Sequence, residues 1–214
     1  MLRVVPFAFN AFSENTYLLI DEGTREAALV DPGMYSAAEQ QTLSGYVERE
    51  GLAIKYILLT HAHIDHVLGN AYALRTYPKV PLLLHAQDWP TLRAVATYAG
   101  PYGFAQYEAS EPTGELTPGQ VIELGESRLE VRFAPGHAPG HVVLYDQAGG
   151  QVIGGDVLFR GSIGRTDLPG GNHAQLLESI RRELLTLPDD TVVYPGHGPA
   201  TTVGDERRSN PFLR

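Results

Sequence analysis

The stretch Thr60-His61-Ala62-His63-Ile64-Asp65-His66, set directly behind the apolar run Tyr56-Ile57-Leu58-Leu59, restricts this chain more than any other feature of its sequence. A short apolar run of that kind reads as a buried strand, so four side chains able to bind metal are delivered within seven positions of its end. On an extended segment residues two apart share a face, which lets His61 and His63 reach one ion together. Asp65 and His66 fall where the chain turns into a helix and are directed differently, which suits a second, neighbouring ion. With 8 His and 10 Asp in 214 residues, chance produces H-x-H-x-D-H in about one such chain in two thousand.

Three more candidates sit in turns beside strand-like runs. They are His137 in Ala134-Pro135-Gly136-His137-Ala138-Pro139-Gly140-His141, Asp156 in Gly154-Gly155-Asp156, and His197 in Tyr194-Pro195-Gly196-His197-Gly198-Pro199. Glycine tolerates positive φ, so the backbone turns tightly and presents a ligand from a strand end. With the first cluster they complete a set of seven. Imidazole and carboxylate without thiolate suit zinc, iron or manganese. His141 reads as a structural residue rather than a ligand, and His85 and His173 as surface or capping residues.

Strand-like runs bounded by Gly, Pro, Asn and Asp cover Thr16 to Ile20, Ala27 to Val30, Tyr56 to Leu59, Leu82 to Leu84, Arg128 to Phe133, Val142 to Tyr145, Val152 to Gly154 and Val192 to Tyr194. Helical periodicity interrupts them. Ser36 to Glu50 starts at a capping residue with Glu39 three positions on and stops at Gly51. His66 to Thr76, Gln87 to Tyr98 and His173 to Leu187 complete the helices, each stopped by Gly or Pro. This alternation predicts α+β architecture, sheets covered by helices, in one unit over residues 1–214. Residues 99–119, with three prolines and four glycines, read as a surface excursion and a candidate substrate loop.

The chain has no cysteine, which excludes disulfides, thiolate metal sites and a cysteine nucleophile. A formal charge of −9 repels a phosphate backbone, so no nucleic-acid partner is expected. Pro6 and Asn10 break the apolar N-terminus before a signal core forms, and no apolar run approaches membrane-spanning length. A cytoplasmic protein without a membrane partner is the expectation.

Taken in order, H-x-H-x-D-H, Pro-Gly-His, Gly-Asp and a second Pro-Gly-His resemble the metallo-β-lactamase superfamily over residues 61–197. Asn15-Thr16-Tyr17-Leu18, Val30-Asp31-Pro32-Gly33, Gly161-Ser162-Ile163-Gly164-Arg165-Thr166-Asp167 and Asn210-Pro211-Phe212 are similar to its glyoxalase II-like branch. The resemblance implies a four-layer α/β/β/α sandwich and two divalent ions, zinc first, with iron or manganese as alternatives. His61, His63 and His137 would hold one ion, Asp65, His66 and His197 the other, and Asp156 would bridge them. Asp31 would support the histidine segment. Arg165 is a candidate for a substrate carboxylate, or else pairs with Asp167.

The implied activity is hydrolysis of a small-molecule thioester, in particular an S-2-hydroxyacyl-glutathione such as S-lactoylglutathione, by metal-activated hydroxide, with Asp65 orienting it or taking its proton. Only 17 residues follow His197, which leaves no room for the helical glutathione-binding domain of full-length glyoxalase II. The rival within the same branch is a persulfide dioxygenase with a single iron on His61, His137 and Asp156.

Overall fold

A computed structural model describes all 214 residues. Its first sheet runs in the order β1 (Leu2–Phe9), β2 (Glu14–Asp21), β3 (Glu26–Val30), β4 (Ala53–Leu58), β5 (Leu82–Leu84) and β6 (Gly114–Glu115). The first three strands are antiparallel neighbours, and β3 to β6 are parallel. The second half contributes β7 (Val121–Leu124), β8 (Ser127–Phe133), β9 (Val142–Asp146) and β10 (Gln151–Gly155), a two-stranded ribbon of β11 (Leu158–Phe159) and β12 (Ser162–Ile163), then β13 (Val192–Pro195) and β14 (Thr201–Thr202). The second sheet is ordered β14-β13-β10-β9-β8-β7, with β10 and β13 parallel.

Alternation along the strands explains the layers. Leu18 and Ile20 of β2 and Ala27 and Leu29 of β3 join one buried cluster, while Tyr17, Leu19, Ala28 and Val30 join another. On β9, Val142 and Leu144 point into that second cluster, and Val143 and Tyr145 point into a third. Successive strand residues face opposite sides, so each central strand is apolar on both. The middle cluster lies between the sheets. The outer two are covered by α1 (Ala37–Arg49), α2 (Ile64–Val67), α3 (Asn70–Thr76) and α4 (Trp89–Tyr98) on one side, and by α5 (His173–Ser179) and α6 (Val203–Ser209) on the other. The result is the expected α/β/β/α sandwich. No helix is long and apolar enough to cross a membrane.

α1 begins as its sequence demands: Ser36 accepts from the Glu39 N–H while Glu39 accepts from the Ser36 N–H, a complete capping box. The other helices depart from the sequence reading. The expected helix over His66 to Thr76 starts at Ile64 and breaks at Leu68-Gly69. There the Gly69 N–H donates to the Pro32 carbonyl at 2.7 Å, and a Cβ on residue 69 would lie 2.4 Å from Met34 Sδ. The stretch from His173 to Leu187 widens into a π-type turn at Ile180–Leu184, and Gln87 to Tyr98 opens as a tight 3-10 turn at Ala86–Asp88. Residues 99–119 are less of an excursion than expected. Phe104 is buried against Tyr35, their rings edge to face at 4.9 Å, and β6 closes the sheet edge.

Two glycines give opposite expectations. Gly45 of α1 has open space where a Cβ would lie, so Gly45→Ala is expected to stabilise by about 0.5–1 kcal/mol through a less flexible unfolded chain and better helix propensity. Gly69→Ala forces a clash with Met34 and two carbonyls and is expected to cost about 1–3 kcal/mol. Thermal melts should therefore move in opposite directions; a Gly69→Ala melt no lower than the parent's would contradict the packing.

Candidate metal centre

Parallel pairing assembles the site. Asp31 follows β3 and the His61–His66 segment follows β4, so both emerge from the same edge of the first sheet. Asp156 follows β10 and His197 follows β13, another parallel pair. β8 runs in the same direction as β10, because both are antiparallel to β9, and His137 lies just beyond its end. Five turns from two sheets therefore open on one side.

All seven candidate ligands meet there. The His61 ring lies 4.8 Å from His63, 4.2 Å from His66 and 4.9 Å from His137, centroid to centroid. His63 Nδ1 and His137 Nε2 are 2.8 Å apart. His197 Nε2 is 3.0 Å from Asp65 Oδ2. The Asp156 carboxylate sits among them, Oδ2 at 3.5 Å from His137 and 3.6 Å from His197, Oδ1 at 3.5 Å from His66. Donor atoms of His61, His63 and His137 lie within 4.8 Å of one another, and so do those of Asp65, His66 and His197.

Burial and neighbouring charge together set the protonation of this cluster. Desolvation, reinforced by neighbouring imidazoles, holds His61 well below its usual range and His63 down at about 3, so both keep a free lone pair. Burial also pulls on His66, but Asp65 and Asp156 outweigh it and raise that ring well above the usual value. Asp156 is lowered despite burial, chiefly by His66. His61 Nε2, His66 Nε2 and Asp156 Oδ1 are buried without a hydrogen-bond partner. Unpartnered buried polar atoms are costly and rare. Three of them among facing imidazoles and carboxylates fit a divalent cation.

The outer contacts fix the ligands. Asp31, at φ 48°, accepts from the Thr60 N–H and hydroxyl at 2.7 and 2.6 Å and lies 3.1 Å from His66 Nδ1. His137 Nδ1 donates to the Arg165 carbonyl at 2.7 Å, turning Nε2 inward. His141 stacks on His61 at 4.7 Å and accepts from the Asp156 N–H at 3.0 Å. His85 caps the turn at Gln87 but is buried against Phe133 rather than on the surface. Gly136 and Gly155 have positive φ as expected. Gly196 needs its missing side chain for space instead, since a Cβ there would lie 2.2 Å from Asp156 Oδ1.

Of the two partners open to Arg165, the structure shows Asp167. Its guanidinium is bound bidentately by Asp167 at 2.7 and 2.8 Å, so its fork faces a carboxylate of the chain itself. Two carboxylates escaped sequence reasoning altogether. Asp88, fully buried, accepts from the Ala62 N–H at 2.9 Å and the Gly140 N–H at 2.8 Å, clamping the His61–His63 turn to the His137 turn. Burial without a cation pushes it up to about 6. Glu14, also fully buried, accepts from Thr16 at 2.8 Å and lies 3.7 Å from His66 Nδ1. Desolvation raises it well above the carboxylate range.

A profile of the metallo-β-lactamase superfamily matches residues 10–197, and the chain belongs to that family. It is 36% identical over 214 residues, 99% of this chain and 97% of the other, to hydroxyacylglutathione hydrolase GloC of Haemophilus influenzae. Among solved structures it is similar to BLEG-1, a B3 metallo-β-lactamase, with TM-score 0.89, 36% identity and 99% coverage of both chains. It is also similar to TTHA1623, solved in a di-iron-bound form, with TM-score 0.87, 40% identity and coverage of 98% of this chain and 100% of the other.

Asp88→Asn leaves one of the two clamped N–H groups facing a donor. It is expected to lower the melting temperature, by the equivalent of about 1–3 kcal/mol, and to reduce bound divalent metal per chain. Metal analysis of the purified variant checks this; parental metal content would show that the clamp does not set the ligand turns.

Proposed function

We propose that the protein is a metal-dependent thioester hydrolase. The observation that carries this reading is the convergence of seven imidazole and carboxylate groups, three of their atoms buried and unpartnered, at a cavity of about 900 Å³ that His63, Asp65, His137, Asp156 and His197 line and behind which His61 and His66 are buried. His61, His63 and His137 would hold one ion, Asp65, His66 and His197 a second, with Asp156 between them. Bound divalent ions supply Lewis acidity at the acyl oxygen and a water acidic enough to attack near neutral pH. The likeness to GloC supports a thioester as substrate, and the di-iron relative supports iron beside zinc and manganese as the metal.

The chain's own groups do the rest. Asp31 and the Arg165 carbonyl hold His66 and His137 in one ring orientation. Asp65, whose Oδ2 is held by His197 Nε2 at 3.0 Å and which lines the cavity, takes the proton of the attacking water. Attack at the thioester carbon forms a C–O bond, the C–S bond breaks, and the thiolate leaves into the open cavity. No side-chain nucleophile is needed.

S-lactoylglutathione is the first substrate to try. Metal-replete protein is expected to release thiol from it, to stop on chelation and to recover when metal is restored. His61→Ala is expected to lose most bound metal and roughly 100-fold or more of turnover, more than is typical for residues that only orient ligands. Oxygen uptake with glutathione persulfide, or faster opening of a β-lactam ring, in place of thiol release would overturn the thioesterase reading.

A further inference from the structure

The cavity wall beyond the metal-binding residues has a composition of its own. Phe12, Tyr98, Tyr102, Phe159, Ile163 and Leu168 give it an aromatic and aliphatic surface. Phe12 and Tyr102 are among the few large apolar side chains that remain exposed, at 43% and 58%. Folding does not require those two rings to face solvent, and exposed apolar surface gathered around a cavity marks a binding site. Tyr98 contributes a neutral hydroxyl, since burial and nearby Asp65 push it up to about 12.

Charge on that wall is scarce. Outside the His/Asp cluster the only charged side chain lining the cavity is Arg165, and Asp167 already pairs with its Nε and Nη2. A substrate carboxylate at that guanidinium would share its charge with Asp167, which lowers the gain from pairing there. A second carboxylate on the same substrate would meet apolar wall, where an unpaired charge is strongly disfavoured. Glutathione carries two carboxylates and an ammonium group.

We infer that the site takes thioesters whose acyl chain is apolar and whose carrier thiol is uncharged, in preference to glutathione conjugates. The acyl chain lies along α4 and the β11–β12 ribbon, with Tyr102 and Phe12 at the rim. This inference rests on the thioester reading and narrows its substrate.

The test compares S-acyl-N-acetylcysteamine thioesters from propionyl to hexanoyl with S-lactoylglutathione, on protein of measured metal content. kcat/KM is expected to rise roughly threefold per added methylene, near the value for a methylene removed from water, and to exceed that for S-lactoylglutathione about tenfold at hexanoyl. Tyr102→Ser, which removes a solvent-exposed ring, is expected to flatten the rise. The matching alkyl thioethers, which cannot be cleaved, should show the same chain-length rise in affinity by calorimetry. A flat series in both kinetics and calorimetry, or S-lactoylglutathione as the better substrate, overturns the inference. A rise in calorimetry without cleavage of any thioester would keep the apolar subsite and remove the thioesterase reading instead.

Discussion

Crowding imidazoles and carboxylates away from water is expensive, and the rest of this structure is arranged around that cost. His61 and His66 are fully buried, Asp156 nearly so, and each keeps a polar atom with no protein partner. Neighbouring histidines depress one another while the carboxylates raise His66, so the cluster lacks an internal pairing that satisfies every member. A divalent cation resolves the conflict in one step by meeting lone pairs and negative charge together. Structural and chemical demands thus coincide at the same atoms.

Holding such a cluster open requires a scaffold that does not relax around it. Parallel strands deliver Asp31 beside the His61–His66 turn and Asp156 beside His197, so register in each sheet fixes which ligands are neighbours. The two sheets are then tied across the site by Asp88, whose carboxylate reaches N–H groups on turns 26 and 52 residues away. Buried hydrogen bonds of this kind define a single arrangement because breaking one leaves an amide unsatisfied. The cavity above the cluster is walled by contrast with aromatic and aliphatic side chains such as Phe12, Tyr98, Phe159 and Leu168.

The residues that gather at the site were legible in the sequence because they occur in dense or repeated local patterns: four in His61–His66, two Pro-Gly-His turns and Gly-Asp. The layered fold was legible as well, since period-two apolar strands such as Leu18 to Ile20 must be covered on both faces. What escaped depends on contacts between distant segments. Asp88 and Glu14 have no motif around them and matter only through partners elsewhere in the chain. The break at Gly69 comes from the Pro32 carbonyl and Met34, not from helix propensity. The two-residue strands β6, β11, β12 and β14 are too short to show a period. Arg165 offered two partners on paper, and only the geometry shows Asp167 holding it.

The seven side chains are placed to enclose divalent metal. Anomalous X-ray diffraction at the absorption edges of zinc and iron, on crystals of metal-replete protein, tests that placement most directly. Two peaks are expected inside the ring, one beside His61, His63 and His137 and one beside Asp65, His66 and His197, with Asp156 between. Peaks elsewhere, or none in protein shown by analysis to carry metal, would contradict it.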